Sequence, residues 1–489
     1  MNLPQVLPQH RYISTVTAQV IVALSVLAIG LLPPLVAIVA GLSDSGLLVA
    51  THAITTSLLA FLLGWQSAKA AFLVLLIILP WQPLFSMPLA EGLGSAGIKM
   101  LVATKDIYIA VLLPTLYLKN SKRIKWNFAD MATLPFLLIY ILYMVISPAG
   151  LFIALVSFRE GFTIIAFYLV GRLGRLGYPE VKWLLKAMLI IAIFVALFGY
   201  IERFFFDELT WTNLGVGAYM EAKQGTLRSR FDVVGEIPKN WFSRVNGNLV
   251  RRMVSGIGDP TSLSRYLSLP ILTLLFLPEM FHPSKENKVA RFAIFCFLTG
   301  ALILTFGRGG LLIVIGGIIL WSVFNRPKLA LMIVPILASI FFVAPLFDFN
   351  SGSIPGHIES ATNGIRQLFV TPLGLGLGTA GQKALSFSSN AITGTGESYV
   401  AALAFQTGIL GVATYSLFIA AVSLVLFKRY RQAKRLQDKT GRQLAMLGLS
   451  VILGIYITSA FANSAIAPIS AGPSLLYCGA FLTTYLQGK

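Results

Sequence analysis

The side chains best suited to chemistry are a set of arginines and one glutamate. Arg159, Arg252, Arg308 and Arg366 are scattered along the chain, and Glu397 lies in Gly394-Thr395-Gly396-Glu397-Ser398-Tyr399. A guanidinium is always charged, planar and able to bond an oxyanion through two parallel N–H groups, which makes it the natural partner of phosphate. Such groups gathered in one cavity would point to an anionic ligand, a pyrophosphate above all, although their spacing does not specify it. Glu397 opens a long apolar run. There it either stabilises a helix start, where the dipole favours negative charge, or acts as a general base. His357 is the alternative base. The run Pro372-Leu373-Gly374-Leu375-Gly376-Leu377-Gly378 could bring backbone amides to an anion, but a flexible turn is the simpler reading. No metal or cofactor is implied, since there is no Asp-x-Asp pair, no His cluster and no redox motif.

The elements that position these groups are membrane spans. The chain has 489 residues, 56% of them hydrophobic and 12% charged. A soluble domain carries about 25% charged residues, so the bilayer must cover much of this surface. Apolar runs recur at about 20 residues, and they are continuous rather than alternating, which favours helices over a barrel. The expected architecture is all-α, with twelve to fourteen transmembrane helices. Fourteen runs are placed, at 16–40, 46–64, 69–83, 103–118, 129–147, 150–170, 183–205, 262–279, 291–306, 309–325, 329–347, 398–427, 443–462 and 465–486. They divide the chain into N-terminal helices (1–205), an outer loop (206–261), central helices (262–347), a second outer loop (348–397) and C-terminal helices (398–489). The first run lacks a cleavage-site pattern and reads as a retained anchor. Cys296 and Cys478 fall inside apolar runs and read as small buried hydrophobes.

The formal charge of +19 does not indicate nucleic acid, because the basic residues cluster in short loops. With the N-terminus inside, Lys119–Lys125, Arg172–Lys186, Lys285–Arg291, Arg326–Lys328 and Lys428–Arg442 all fall on the cytoplasmic side, as the positive-inside rule requires. The loops at 206–261 and 348–397 then face outward. Charges in the spans are costly. Arg159 and Glu160 lie near mid-span, too deep for Arg159 to snorkel comfortably. Arg265 lies in the first outer turn of its span, and Glu202 and Arg203 close an outer end, where they pair locally.

The order of several segments resembles the O-antigen ligase and polymerase superfamily. Arg252-Met253-Val254-Ser255-Gly256-Ile257-Gly258-Asp259-Pro260-Thr261 is similar to the segment that opens a middle span in that family. Leu304-Thr305-Phe306-Gly307-Arg308-Gly309-Gly310 resembles its arginine-bearing turn, although Gly307 stands where the family has Ser. Pro372–Gly378 resembles its glycine run, and Gly396–Gly411 its last motif helix, with Glu397-Ser398 where ligases carry His then Asn. The resemblance covers roughly residues 250–430. It implies a GT-C-like glycosyltransferase in the bacterial inner membrane with two large periplasmic segments. The activity implied is metal-independent, inverting transfer of a glycan from an undecaprenyl-pyrophosphate-linked oligosaccharide to an acceptor sugar at the periplasmic face. The glutamate leans toward a Wzy-type repeat-unit polymerase over a ligase to lipid A core or protein. Arg159, Arg252, Arg308 and Arg366 are then expected to bind the donor or acceptor phosphates, with Glu397 as catalytic base. Membrane lipid and a chain-length regulator are the implied partners. A lipid-linked oligosaccharide flippase is the non-enzymatic alternative, but the two halves of the chain show no internal repeat.

Overall fold

The computed structural model describes residues 45–224, 233–234, 237–245, 248–280, 285–328, 353–387, 392 and 397–484. The expected spans at 16–40 and 329–347, and the side chain of His357, lie outside the described residues. The first part of the chain forms α1 (Ser45–Gln66), α2 (Ala68–Ser86), α3 (Ala90–Asn120), α4 (Phe128–Met131), α5 (Thr133–Val145), α6 (Leu151–Leu173) and α7 (Tyr178–Phe205). A segment at one end of the bundle carries α8 (Glu208–Asn213), α9 (Val216–Gln224) and two antiparallel ribbons. These pair β1 (Val233–Val234) with β2 (Ile237–Pro238), and β3 (Phe242–Val245) with β4 (Asn248–Arg251). Then follow α10 (Pro260–Phe276), α11 (Lys285–Leu304), α12 (Arg308–Asn325), α13 (Ser353–Val370), α14 (Gly381–Phe387), α15 (Tyr399–Arg435), α16 (Lys439–Ser459) and α17 (Pro468–Thr484).

Among the described residues nine helices are long and apolar enough to cross a bilayer, which is compatible with an all-α integral membrane protein. The α10 and α17 helices have only 17 residues each. They are buried along nearly their whole length, so protein rather than lipid surrounds them. The α11 helix is the opposite case. Its apolar surface is largely uncovered, and Cys296, expected to be buried, is exposed on it; Cys478 in α17 is buried as expected.

Two expected boundaries move. The α3 helix begins at Ala90 rather than near 103, running straight through Gly92 and Gly97. Its early turns are held by a second apolar core, where Ile98 and Leu101 pack with Trp211, Tyr219, Trp241 and Val254. The α15 helix runs to Arg435, so the basic stretch from Lys428 is helical rather than loop.

Hydrogen bonds sort the helix ends into two groups. At the basic end, Tyr178 bonds Asp438, Lys439 pairs with Glu279 at 2.5 Å, and Asn120 donates to the Leu173 carbonyl at 2.7 Å. Arg172, expected in the basic loop, is instead buried here. Its Nε and Nη2 donate to Asp130 Oδ1 and Oδ2 at 2.8 and 2.7 Å, Nη1 reaches Thr483 at 3.1 Å, and Tyr168 donates to the same carboxylate at 2.8 Å. This clamp ties α4 to α6 and α17.

Removing one partner of a buried ion pair costs about 3–5 kcal/mol, because the other charge is left uncompensated. Asp130→Ala should therefore lower the thermal midpoint of the detergent-solubilised protein markedly, and Asp130→Ala with Arg172→Leu should recover most of the loss. A double variant no more stable than the single one would contradict this account.

Candidate site at the ribbon end of the bundle

Glu202, in the last turn of α7, is completely buried. Its carboxylate accepts Arg251 Nη2 at 3.0 Å and the backbone N–H groups of Val254 and Ser255 at 3.2 and 3.1 Å. Arg251 also donates to the Glu202 carbonyl at 2.8 Å and to that of Phe206. The expected local pairing of Glu202 with Arg203 is replaced by this contact. Adjacent residues on a helix point about 100° apart, and only Glu202 faces the returning strand.

The clamp delivers Arg252. Its N–H bonds the Trp241 carbonyl at 2.7 Å, and the N–H of Met253 bonds the Leu304 carbonyl at 2.9 Å. The Arg252 side chain donates from Nε to the Thr305 carbonyl at 2.7 Å and from Nη1 to that of Asn240 at 3.1 Å. Trp241 packs edge-on to Trp211 at 4.9 Å and donates to the Gly258 carbonyl at 3.1 Å. Gly258 has φ +66°, a left-handed turn that glycine adopts without penalty. Asp259 then caps α10: it accepts the Ser262 N–H at 3.0 Å and the hydroxyls of Ser262 and Thr261 at 2.6 and 2.8 Å. Pro260 occupies the first helical position, as this cap pattern favours.

Arg308 opens α12 after the tight turn at 305–307. Here α12 presses on α10, since a Cβ at Gly310 would stand 2.2 Å from the Ser264 carbonyl oxygen and one at Gly309 would stand 2.7 Å from Arg265 Nε. Arg265 is buried. Its Nη1 donates to Ser464 Oγ at 2.7 Å, while its Nε is buried without a hydrogen-bond partner. Asp259 and Arg308 lie within electrostatic reach of Arg252, and Asp259 and Arg252 within reach of Arg265. Arg252 and Arg265 thus share the Asp259 carboxylate, and Arg308 lies beside Arg252. Burial lowers the Arg252 guanidinium to about 10; Asp259 opposes that shift and Arg308 adds to it. Arg252 therefore stays cationic at neutral pH. Burial works to raise the Asp259 carboxyl, but its bonds to Ser262 and Thr261 and the charge of Arg252 hold it below the usual carboxylate value.

Glu397 stands one residue before the helix cap rather than in the first turn. Ser398 is the cap of α15, its Oγ accepting the Ala401 N–H at 3.1 Å. Glu397 is exposed, with Oε2 3.0 Å from where a Cβ at Gly356 of α13 would stand. Its carbonyl accepts the Asn463 N–H at 3.0 Å, and the next residue, Ser464, receives Arg265. The 463–464 turn therefore joins Glu397 to the arginine group. Asn463 and Ser464, the polar pair between two apolar runs, were the available signal for this link, as Asp259-Pro260 was for the cap.

Two expected members have other described surroundings. Arg159 pairs with Asp106 of α3 at 3.5 Å, and Lys105 lies 3.9 Å from the same carboxylate. Arg366 is exposed, ten residues and so about 15 Å along α13 from Gly356. It also points about 200° away from Gly364, the residue that packs against Ala401. The glycine run is likewise not an anion cradle. The N–H groups of Gly374, Leu375, Gly376 and Leu377 are given to the carbonyls of Thr371, Phe405, Gln406 and Tyr143. Glycines 374, 376 and 378 have positive φ, and the run serves a break in α15 at Gly408 (φ 60°, ψ −152°).

No protein-family model matches the chain, and no curated protein matches it.

Asn caps helices about as well as Asp, so Asp259→Asn isolates the charge. A carboxyl held below its ordinary value stabilises the fold above that value, about 3.9, and the gain is lost as pH falls through the lower folded value. Wild type should thus melt above Asp259→Asn at pH 7, and the gap should narrow as pH falls below the ordinary carboxyl value. A gap independent of pH would refute the charge role.

Proposed function

We propose that the chain is a glycosyltransferase of GT-C-like type that transfers a glycan from a polyprenyl-pyrophosphate carrier to an acceptor sugar on the outer, periplasmic face, as a repeat-unit polymerase does. The observation that carries this reading is the grouping of Arg252 and Arg265 at the Asp259 carboxylate with Arg308 beside Arg252, joined through Asn463 and Ser464 to Glu397. Neighbouring guanidiniums suit a multiply charged anion, and a pyrophosphate leaving group supplies one.

In this reading the acceptor hydroxyl oxygen attacks the anomeric carbon of the donor sugar. The bond from that carbon to the pyrophosphate oxygen breaks, with inversion, and its electron pair stays on the lipid pyrophosphate. The hydroxyl proton passes to the Glu397 carboxylate. The guanidiniums stabilise the charge that grows on the departing oxygen, worth several kcal/mol in comparable sites. Arg366 is left out of the donor site because it lies on the far side of α13. Arg159 takes part only if a ligand phosphate displaces Asp106.

One observation favours the transporter alternative: α15 is broken at Gly408, and discontinuous helices recur in transporters. Such proteins repeat the break in the other half, and among the described residues no other spanning helix carries one.

The deciding experiment is purified protein with an undecaprenyl-pyrophosphate-linked repeat unit. A ladder of products supports polymerisation, a single transfer supports a ligase, and translocation alone overturns the enzyme. Glu397→Gln should lower turnover by about 10²–10⁴-fold, the usual contribution of a general base, and full-length polymer from a well-expressed variant would remove Glu397 from that role. Arg308→Lys keeps the charge but loses the fork, and should cost roughly tenfold, about 1.4 kcal/mol. Unchanged turnover would make Arg308 structural.

A further inference from the structure

The α13 helix has two different faces. One packs on the start of α15: a Cβ at Gly364 would stand 2.6 Å from Ala401 Cα, Ser360 is buried, and Gly356 meets Glu397. The other carries Ile365 and Phe369, which are 62% and 83% exposed and lie about 100° and 140° around the axis from Gly364. Arg366 and Glu359, both exposed, follow at about 200° and 220°. Apolar residues, then a cation, then an acid is the order of a helix lying in a bilayer interface.

The surroundings name what covers the apolar side. The C-terminal end of α13 leads into residues bound to the turn between α5 and α6. Tyr143 donates to the Leu373 carbonyl, the Leu377 N–H donates to Tyr143 at 3.4 Å, and Gly376 lies against Pro148. That turn ends two apolar helices, Phe128–Val145 and Leu151–Leu173, both long enough to span. Its Val145, Ile146, Leu151 and Phe152 are exposed. The exposed apolar residues of this turn therefore lie beside the segment that leaves α13.

We propose that α13 is a membrane-interface anchor whose Ile365–Phe369 side enters the leaflet at this end of the bundle, with Arg366 bonding phospholipid headgroup phosphate. Burying Phe369 in the leaflet while Gly356 stays against Glu397 fixes the height of the Glu397 carboxylate above the membrane. The anchor depends on the chain spanning a bilayer and not on glycan transfer. It also gives Arg366 a partner of the chemistry a guanidinium favours, away from the arginine group around Asp259.

The test uses the full chain in phosphatidylethanolamine–phosphatidylglycerol nanodiscs, with Cys296→Ala removing the exposed native thiol. Nitroxide labels at Phe369→Cys, Glu359→Cys and Phe152→Cys are read by collision with oxygen and with a water-soluble nickel chelate. The label at 369 should favour oxygen several-fold over nickel, like that at 152, while the label at 359 favours nickel. A 369 label that behaves like 359 overturns the anchor. So does mutual broadening of 369 labels, which would show that a second copy covers the face. With Arg366→Glu, nickel access at 369 should rise several-fold; no change would overturn the headgroup role.

Discussion

A carboxylate with no solvent exposure, Glu202, accepts one guanidinium and two backbone amides from residues 251–255. Each of those donors would cost energy if buried without a partner. The segment between α7 and α10 is therefore fastened to the bundle at this point, and its later residues have little freedom. Arg252 is set against the end of α11, Gly258 turns the chain, and Asp259 starts α10. Arg265 follows within the first turns of that helix and reaches Ser464, whose neighbour Asn463 holds the Glu397 carbonyl. A continuous path of short contacts thus runs from the end of α7 to the front of α15.

The same path concentrates like charges. Guanidiniums brought together out of water repel one another, and the Asp259 carboxylate opposes this at Arg252 and Arg265. Burial lowers Arg252 toward 10, and Arg308 adds to that lowering. Perturbed groups of this kind cluster at functional sites. The orphaned Nε of Arg265 belongs to the same group. The proposed pyrophosphate ligand answers both observations with one chemical species.

Bilayer crossings were readable because length and apolarity are nearly the whole requirement for them. The twelve runs that fall on described residues each meet a helix, with ends displaced where a tertiary contact intervenes. The start of α3 lies ahead of the apolar run at 103–118, because Trp211 and Trp241 of a distant segment pack on its early turns. The arginines were recognisable by type but not by partner. Arg172 looked like a loop cation and became a buried clamp, since its partner Asp130 lies 42 residues away. Arg366 looked like a member of the group, yet the direction of a side chain around a helix axis decides membership, and a single sequence does not say which face of a helix meets which neighbour.

The glycine run shows how backbone groups settle the division of labour at this end. Breaking α15 at Gly408 frees the carbonyls of Phe405 and Gln406 from their own helix, and buried carbonyls need donors. Leu375 and Gly376 provide them at 2.8 Å each, while the Pro372 carbonyl takes the N–H of Ile409 across the break. The positive φ values of Gly374 and Gly376 let the chain come this close, since a Cβ at Gly374 would stand 2.5 Å from the Gly408 nitrogen. Those amides are consumed in making the break, so they cannot also cradle a phosphate. The break in turn separates the short piece that begins at Tyr399 from the long helix behind it, and Glu397 leads that short piece. An anion at this end would therefore not be cradled by those amides, and the proposed phosphate site rests instead on the guanidiniums of α10, α12 and the segment before α10.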